Sequence, residues 1–273
     1  MEPVFLYETF FGRCILKILT RPFISKIVGK YMDSPVSRLR IKSFVRKNRI
    51  DMTDYIKREY KSFNDFFTRE IRDDARSIDM CPSSFISPSD GKVSAFTISD
   101  ESSFCIKGST YTVDELFCDK DIAKDFSGGT MIVIRLTVTD YHRYIYPDWG
   151  EKEKNVFIPG ILHTVQPIAQ SRHKIYKTNS REYTILHTEN FGDIIQMEVG
   201  AMMVGKIVNY HSSCKFSRGE EKGRFEFGGS TIVLMIKKDT IQLNENIPIN
   251  SDKEISIKMG EKIGEKIQKE KVL

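Results

Sequence analysis

The sequence predicts an α+β protein in which N-terminal amphipathic helices precede a largely antiparallel β-barrel or β-sandwich body. Apolar residues near the N-terminus recur at helical spacing, whereas from about residue 84 onward short β-rich runs alternate with glycine-containing turns. No low-complexity linker divides the chain. We therefore expect a helical, membrane-associating segment over residues 1–70 that leads into a β-rich catalytic body over residues 71–273.

The first helical region is predicted over residues 3–32. Its apolar residues lie three and four positions apart, Arg13, Lys17 and Arg21 fall mostly between them, and Pro22 interrupts the pattern. Such a pattern fits either a surface helix that packs on the body or a helix that lies in the lipid headgroup layer. Aromatic residues on one side and basic residues on the other favour the membrane.

Two shorter helices are predicted further along the chain. A basic helix around residues 38–48 extends the positive surface. The stretch SFNDFFTRE (62–70) predicts a helix start, because Ser62 and Asp65 have capping-box spacing and the phenylalanines share one face. Docking on the body is a sufficient explanation for this second helix.

Charge is distributed unevenly along the chain. The net charge is +5, but residues 1–50 hold 11 Lys/Arg and 3 Asp/Glu and so carry +8, which leaves the rest at −3. A nucleic-acid binder usually carries its basic patch on the folded domain, so we expect no nucleic-acid partner. A basic N-terminus suits an anionic membrane surface.

The cysteine content and the N-terminal residues indicate the cellular compartment of the protein. The five cysteines are widely separated and form no CxxC pair, so we expect no zinc or other metal site, no disulfide framework and a reducing compartment. No signal peptide is predicted, and basic residues interrupt the N-terminal apolar stretch too often for an ordinary spanning helix. We expect peripheral attachment to the cytoplasmic side of the cell membrane.

One stretch of the body needs more explanation than strand formation. GRFEFGGSTIVLM (223–235) places Gly228 and Gly229 before Ser230 inside a run of strand-forming residues. A β-bulge or a tight hairpin would explain glycines there structurally. The alternative is that the backbone itself reacts at Ser230.

Three other polar residues are candidates for a site. Asp90 lies in SPSDGKV, His142 lies in DYHRY at a strand end, and His163 lies in the otherwise apolar stretch GILHTVQP. Each has a structural alternative: an aspartate in a turn, a histidine satisfied by its neighbours, and a core histidine.

Taken together, these motifs resemble the phosphatidylserine decarboxylase family, and the N-terminal LTRPFISKIVGKYMDS resembles its clostridial-type bacterial branch. The segments that carry the resemblance occur in the family's order over nearly the whole chain: FNDFFTRE, SPSDGKV, DYHRY, HTVQPIA, FGDIIQMEVGAMMVGKIV and KGRFEFGGST. Single motifs are moderately specific, whereas the ordered set that ends in GGST is highly specific.

The resemblance implies a proenzyme that cleaves itself between Gly229 and Ser230. The Ser230 hydroxyl would attack the Gly229 carbonyl, and elimination would convert residue 230 into a pyruvoyl group, the cofactor, which forms a Schiff base with phosphatidylserine. Residues 1–229 and 230–273 would remain together as a heterodimer, and decarboxylation would give phosphatidylethanolamine and CO₂. Glycine at 229 suits this attack, since it tolerates distorted backbone and leaves the carbonyl open.

The family's Asp-His-Ser triad is only partly matched. Asp90 and Ser230 occupy their motif positions, but the second histidine of DYHR-x-H, usually the maturation base, is Ile145 here. Either His142 serves both maturation and decarboxylation, or His163 takes the vacant place. We favour His142, with His163 as the alternative.

Two other classes of protein fit parts of the pattern. A lipoyl- or biotinyl-type carrier barrel would show similar strands, but it needs a modifiable lysine at a hairpin tip. A serine hydrolase would use Ser230, but its usual GxSxG elbow is absent. A denaturing gel separates the three hypotheses, because only the decarboxylase predicts two fragments.

Overall fold

The computed structural model describes residues 8–99, 101–106, 109–163, 175–201, 206–227 and 230–268. The helices are α1 (Phe10–Leu19), α2 (Pro22–Asp33), a 3-10 helix (Pro35–Arg40), α3 (Ile41–Asn48), α4 (Phe63–Phe67), α5 (Val113–Phe117), α6 (Lys120–Asp125) and α7 (Ile175–Thr178). The strands are β1 (Ser84–Ile86), β2 (Gly91–Thr97), β3 (Ser103–Ile106), β4 (Ser109–Thr112), β5 (Thr130–Leu136), β6 (Arg143–Ile145), β7 (Gly150–Lys152), β8 (Val156–Ile158), β9 (Arg181–Thr188), β10 (Gly192–Val199), β11 (Ile207–Asn209), β12 (Cys214–Phe216), β13 (Glu221–Phe225), β14 (Ser230–Ile236), β15 (Ile241–Leu243), β16 (Ile255–Ile257) and β17 (Lys262–Lys266).

The N-terminal helices occur where periodicity predicts them. The helical run breaks at Pro22, which begins α2 because its ring fits the first turn of a helix. The predicted helix start at Ser62 is confirmed, since the Ser62 hydroxyl accepts a hydrogen bond from the Asp65 amide at 3.1 Å. The part of the predicted helix before residue 8 lies outside the described residues.

A nine-stranded antiparallel sheet forms the centre of the body. Its order is β12-β7-β9-β10-β14-β5-β2-β16, with β8 also paired to β9. Over the described ranges, β12 and β16 form two separate edges, so the sheet does not close on itself. The expected α+β class and antiparallel pairing are confirmed, whereas the barrel is not found.

Each face of this sheet carries its own apolar core. One face packs against two small sheets, β11-β13-β6 and β1-β17-β15, through a cluster that includes Ile232, Tyr144 and Phe225. The other face packs against the β3-β4 hairpin and helices α5 to α7, through residues such as Val233 and Leu116. Alternation along β14 directs successive side chains to these two cores.

The helical segment joins the body through a third apolar cluster. Its members come from α2, α4, β1, the chain around β6 and the loops after α3 and β16. They are Met32, Ile50, Tyr55, Phe63, Phe66, Phe67, Ile86, Tyr141, Ile145 and Met259. Phe66 and Phe67 are fully buried. The short helix α4 therefore anchors the N-terminal helices against the chain that leads into β6.

Candidate active site

Ser230 is the first residue of β14, in the middle of the large sheet. It pairs with Leu136, the last residue of β5, and shares the sheet face of Ile232. Its side chain is completely buried, and its Oγ has no hydrogen-bond partner in the described part of the chain. A buried hydroxyl without a partner costs about 1–3 kcal/mol, so its presence at Ser230 requires an explanation. Gly229 lies outside the described residues.

His142 presents a second unsatisfied atom. Its ring is completely buried, and its Nδ1 lies 2.8 Å from the main-chain oxygen of Asp140. A carbonyl oxygen can only accept, so Nδ1 carries the hydrogen and Nε2 keeps its lone pair. Nε2 has no partner among the described residues. This is the tautomer that a general base requires.

Burial keeps this imidazole neutral. It lowers the pKa of His142 to about 3; the Asp140 carbonyl and the Asp90 charge raise the pKa, and the Arg69 charge lowers it further. Arg69 is itself buried and donates to the Tyr55 hydroxyl and the Thr139 carbonyl. At neutral pH the ring is therefore uncharged, with its Nε2 unprotonated.

The chain brings His142 and Ser230 to the same end of the sheet. The Phe225 amide, at the end of β13, donates to the His142 carbonyl at 2.8 Å. The ring of Phe67 lies 4.1 Å from the imidazole and 5.2 Å from the ring of Phe227. Phe225 and Phe227 thus lie close to His142 in the fold.

Helix α4 contributes a polar contact that the sequence reasoning missed. The Asn64 side-chain oxygen accepts a hydrogen bond from the Phe227 amide at 2.9 Å, and its nitrogen donates to Asp33 at 2.8 Å. The signal in the sequence is an asparagine between Phe63 and Asp65 in the aromatic-rich run FNDFF.

Asp90 is buried, but its hydrogen bonds go elsewhere. Arg76 binds both carboxylate oxygens, at 2.9 and 2.6 Å, the Met259 amide donates at 2.9 Å, and the Lys258 ammonium lies at 3.3 Å. Burial acts to raise the pKa of Asp90, but Arg76 and the Met259 amide outweigh it and lower the pKa below its usual value. The hydrogen bonds of Asp90 do not include His142, whose orientation comes from the Asp140 carbonyl instead.

Ile145 fills the place where the family pattern has its second histidine. Its amide donates to the Pro88 carbonyl, two residues before Asp90, and its side chain packs in the cluster of Phe67 and Met259. An apolar side chain therefore occupies the region beside Asp90.

His163 approaches β14 from the opposite side. Asn179 donates to the main-chain oxygens of both His163 and Gly200 at 2.8 Å, and Gly200 follows the Val199–Thr231 pair of β10 and β14. His142 follows β5, whereas His163 lies beyond β10. The two candidate histidines thus connect to the central sheet through different strands.

A buried ion pair lies close to Ser230 and was also missed. The Lys222 ammonium is 2.8 Å from the Glu198 carboxylate, both side chains are fully buried, and Lys222 also donates to Asn209. Glu198 pairs with Ile232, two residues along β14 from Ser230. Burial raises the pKa of Glu198, and the Lys222 charge opposes that rise.

The chain is similar along most of its length to proteins of one known family. The family model described as phosphatidylserine decarboxylase matches residues 63–265. The chain belongs to the phosphatidylserine decarboxylase family. It is 48% identical to phosphatidylserine decarboxylase proenzyme 2 of Clostridium acetobutylicum over 265 aligned residues. The aligned region covers 96% of this chain and 90% of that protein.

Other members of the phosphatidylserine decarboxylase family match over similar lengths. The proenzyme of Fusobacterium nucleatum is 42% identical, over 95% of this chain and 89% of its own. The proenzyme of Clostridium botulinum is 41% identical, over 94% of this chain and 90% of its own. The expected family and the clostridial likeness are confirmed.

Proposed function

We propose that this chain is a self-processing, pyruvoyl-dependent enzyme that decarboxylates phosphatidylserine to phosphatidylethanolamine. The observation that carries the proposal is the pair of buried atoms without partners, Ser230 Oγ and His142 Nε2, at one end of the central sheet. A buried hydroxyl and a buried neutral imidazole, in a family whose relatives are named proenzymes, support self-cleavage.

In the cleavage step, His142 Nε2 accepts the Ser230 hydroxyl proton as Oγ attacks the Gly229 carbonyl carbon. The new bond is the ester C–O bond, the peptide C–N bond breaks, and the freed nitrogen takes a proton. Removal of the Ser230 α-proton then expels Oγ with the Gly229 carboxylate and leaves dehydroalanine. Hydrolysis of dehydroalanine releases ammonia and leaves the pyruvoyl group.

Several contacts position the reacting peptide. Asn64 holds the Phe227 amide on one side of it, and the ladders to β5 and β10 hold β14 on the other. The Asp140 carbonyl fixes the His142 ring. Asp90 acts on His142 only through its charge, and its direct role is to tie Arg76 to the Met259 amide after β16.

The same strand pairing keeps the two fragments together. β14 pairs along its length with β5 and β10, β16 pairs with β2, and β17 pairs with β1. All of these contacts join residues before the cleavage site to residues after it. The fragments therefore form a heterodimer whose interface runs through the central sheet and the small β1-β17-β15 sheet.

Decarboxylation requires an electron-accepting group and a proton source. The pyruvoyl carbonyl supplies the electron-accepting chemistry when it is present at position 230. Residue 230 is buried in a strand with no competing hydrogen bond to its side chain in the described chain, so the position fits this group. His163, on the other edge of β14, is the candidate for returning a proton to the substrate.

The N-terminal helices supply a surface for the membrane. We define the basic apolar surface as the exposed side chains Phe10, Phe11, Phe23, Ile27, Tyr31, Val36 and Leu39 with the neighbouring lysines and arginines. Phe11 is 74% exposed and Leu39 is 77% exposed. Within the described residues, no helix is long and apolar enough to cross a membrane. Peripheral binding to an anionic bilayer, from the cytoplasmic side, uses such a surface.

The test uses three proteins on a denaturing gel, with mass spectrometry of any fragments and assays of CO₂ release from phosphatidylserine vesicles. The wild type should give fragments 1–229 and 230–273, the smaller one blocked by pyruvoyl, and should release CO₂. Ser230→Ala should stay a single inactive chain. Thr231→Ala removes a neighbouring buried hydroxyl that also lacks a partner among the described residues, and should still cleave.

An intact wild-type chain without CO₂ release would leave a carrier or a hydrolase as the better explanation. Cleavage of the Ser230→Ala protein after residue 229 would show that the hydroxyl is not the nucleophile.

A further inference from the structure

A cavity of about 450 Å³ lies between α1 and the segment 161–163. It is lined by Arg13, Leu16, Lys17, Thr20, Arg21, Ile161 and His163. Leu16, Thr20 and His163 are buried, whereas the three basic residues are exposed. The cavity thus has a buried, mainly apolar floor and a cationic rim, which we call the α1 pocket.

The rim is built by helical spacing. Arg13 and Lys17 are four residues apart on α1, and Arg21 follows at the same spacing just beyond the helix end. Residues four apart lie on one face of a helix, so the three cations line one side. None of the three forms a salt bridge within the ranges that the structure describes, and Arg13 has only a long bond to the Glu8 carbonyl. Their charges remain available to an anion.

The α1 pocket is connected to the active-site strand. The Leu162 amide donates to the Thr20 carbonyl at 3.0 Å, which joins the end of α1 to the segment that carries His163. Asn179 then links His163 to Gly200, beside the start of β14. A Cβ on Gly200 would lie 3.4 Å from the Leu162 side chain, so the two residues are in close contact.

We infer that the α1 pocket binds the phosphodiester of the phosphatidylserine substrate and so delivers the serine headgroup toward residue 230. This inference rests on the proposed function. A phosphodiester carries one negative charge and accepts several hydrogen bonds, which arginine and lysine supply well. The apolar floor suits the glycerol and the first acyl carbons, so the pocket is suited to an amphiphile rather than to a free anion.

The test separates the pocket from general attraction to a membrane. The ligand is dihexanoyl-phosphatidylserine below its critical micelle concentration, and the protein is the uncleaved Ser230→Ala chain, so neither a bilayer nor catalysis is needed. Binding is measured by titration calorimetry. The pocket variant carries Arg13→Gln, Lys17→Gln and Arg21→Gln in that background.

The matched control carries Lys124→Gln, Lys154→Gln and Lys253→Gln, three exposed residues of the body that do not line the pocket. Both variants lose three positive charges. We expect the pocket variant to bind roughly tenfold or more weakly, because hydrogen bonds to charged groups are worth more than neutral ones, and the control to bind like the parent. The single variant Lys17→Gln should give a smaller loss in the same direction.

Equal affinity of the two triple variants would overturn the inference. Dihexanoyl-phosphatidylglycerol distinguishes the source of recognition: weaker binding of both lipids to the pocket variant supports phosphodiester binding, whereas loss of phosphatidylglycerol alone overturns the substrate role. Failure of the proposed function gives a different result. In that case the pocket variant would still lose binding, but the wild-type protein would release no CO₂ from phosphatidylserine.

Discussion

The N-terminal helices expose apolar side chains that proteins usually bury, whereas the sheet body buries polar side chains that proteins usually expose. Over residues 10–39, large apolar side chains such as Phe11 and Leu39 are mostly exposed. In the sheet body, Ser230 and His142 are completely buried with unsatisfied polar atoms. Large exposed apolar patches mark surfaces for a partner, and each buried polar group without a partner requires an explanation.

Under the proposed function, the two tasks of a lipid-modifying enzyme lie in different parts of this chain. The helices would hold the protein at the bilayer, and the sheet would hold the reacting peptide in a dry site. The two regions meet at α4, where Asn64 binds the Phe227 amide, and at α1, where Thr20 binds the Leu162 amide. Changes in either region should therefore affect different measurements, which the following experiments use.

The largest effect is expected from removal of the buried base. His142→Ala should slow self-cleavage by roughly two to four orders of magnitude, the usual contribution of a positioned general base. His163→Ala should still cleave, since it lies beyond β10, but should lose CO₂ release. Cleavage is followed on gels after synthesis in a cell-free system.

His187→Ala is the matched control for these histidine variants. His187 is 48% exposed and pairs with Asp193 and Glu153 on the sheet surface. Its replacement should leave cleavage unchanged. If His142→Ala matures at the wild-type rate while His163→Ala does not, the two roles assigned here are reversed.

The next largest effect is expected on the free energy of unfolding when the buried Lys222–Glu198 ion pair is broken. Lys222→Met leaves the Glu198 carboxylate buried without its cation, so we expect a loss of about 3–5 kcal/mol in the free energy of unfolding. Urea unfolding is measured in the Ser230→Ala background, which keeps a single chain. The double variant Lys222→Met, Glu198→Leu should recover part of this loss.

A surface pair gives the contrast. Lys215 is 87% exposed and lies 3.3 Å from Glu151, and Lys215→Met should cost less than about 1 kcal/mol. If Lys222→Met and Lys215→Met lower the free energy of unfolding by similar amounts, solvent reaches Glu198 more than its burial indicates.

A smaller effect on stability, but a clear one on membrane binding, is expected from the exposed aromatics. Phe10→Ser with Phe11→Ser should weaken binding to phosphatidylglycerol vesicles by roughly 1–3 kcal/mol while the melting temperature hardly changes. Binding is measured by vesicle sedimentation. Phe157→Ser changes an aromatic residue that is 60% exposed on β8 and should leave vesicle binding intact. Equal weakening by the two variants would argue against a special role for the helices.

The smallest effect is expected from pH on the cleavage rate. Because the pKa of His142 is about 3 rather than the ordinary 6.5, the ring stays neutral, and the rate should change by less than about twofold between pH 5.5 and 8. A loss of cleavage centred near pH 6.5 would point to a histidine with an ordinary pKa.

The same shift predicts a stability effect of definite sign. Between pH 6.5 and 3 the unfolded chain binds more protons at His142 than the folded protein does, so the free energy of unfolding falls as the pH drops through this window. His142→Gln removes this contribution. In the Ser230→Ala background, which keeps a single chain, adding His142→Gln should therefore reduce the loss of stability between pH 7 and pH 4.

Local sequence patterns determined much of this protein. Helical spacing and Pro22 predicted the N-terminal helices and their break, capping-box spacing predicted the start of α4, and β-rich runs predicted an antiparallel body. The ordered motifs that end in GGST identified the family, which the comparisons confirmed. These features are readable because each depends on residues that are close together in the chain.

Tertiary structure alone decided which distant groups meet. In the folded chain, Asp90 binds Arg76 and the Met259 amide, and His142 binds the Asp140 carbonyl. Lys222 is buried against Glu198. The central sheet stays open, and α1 lies beside His163. The Asn64–Phe227 bond joins residues 163 positions apart. The physical reason is that a side chain's partner inside a dry core is chosen by how strands and helices from separate parts of the chain pack, and residue spacing carries no record of that choice.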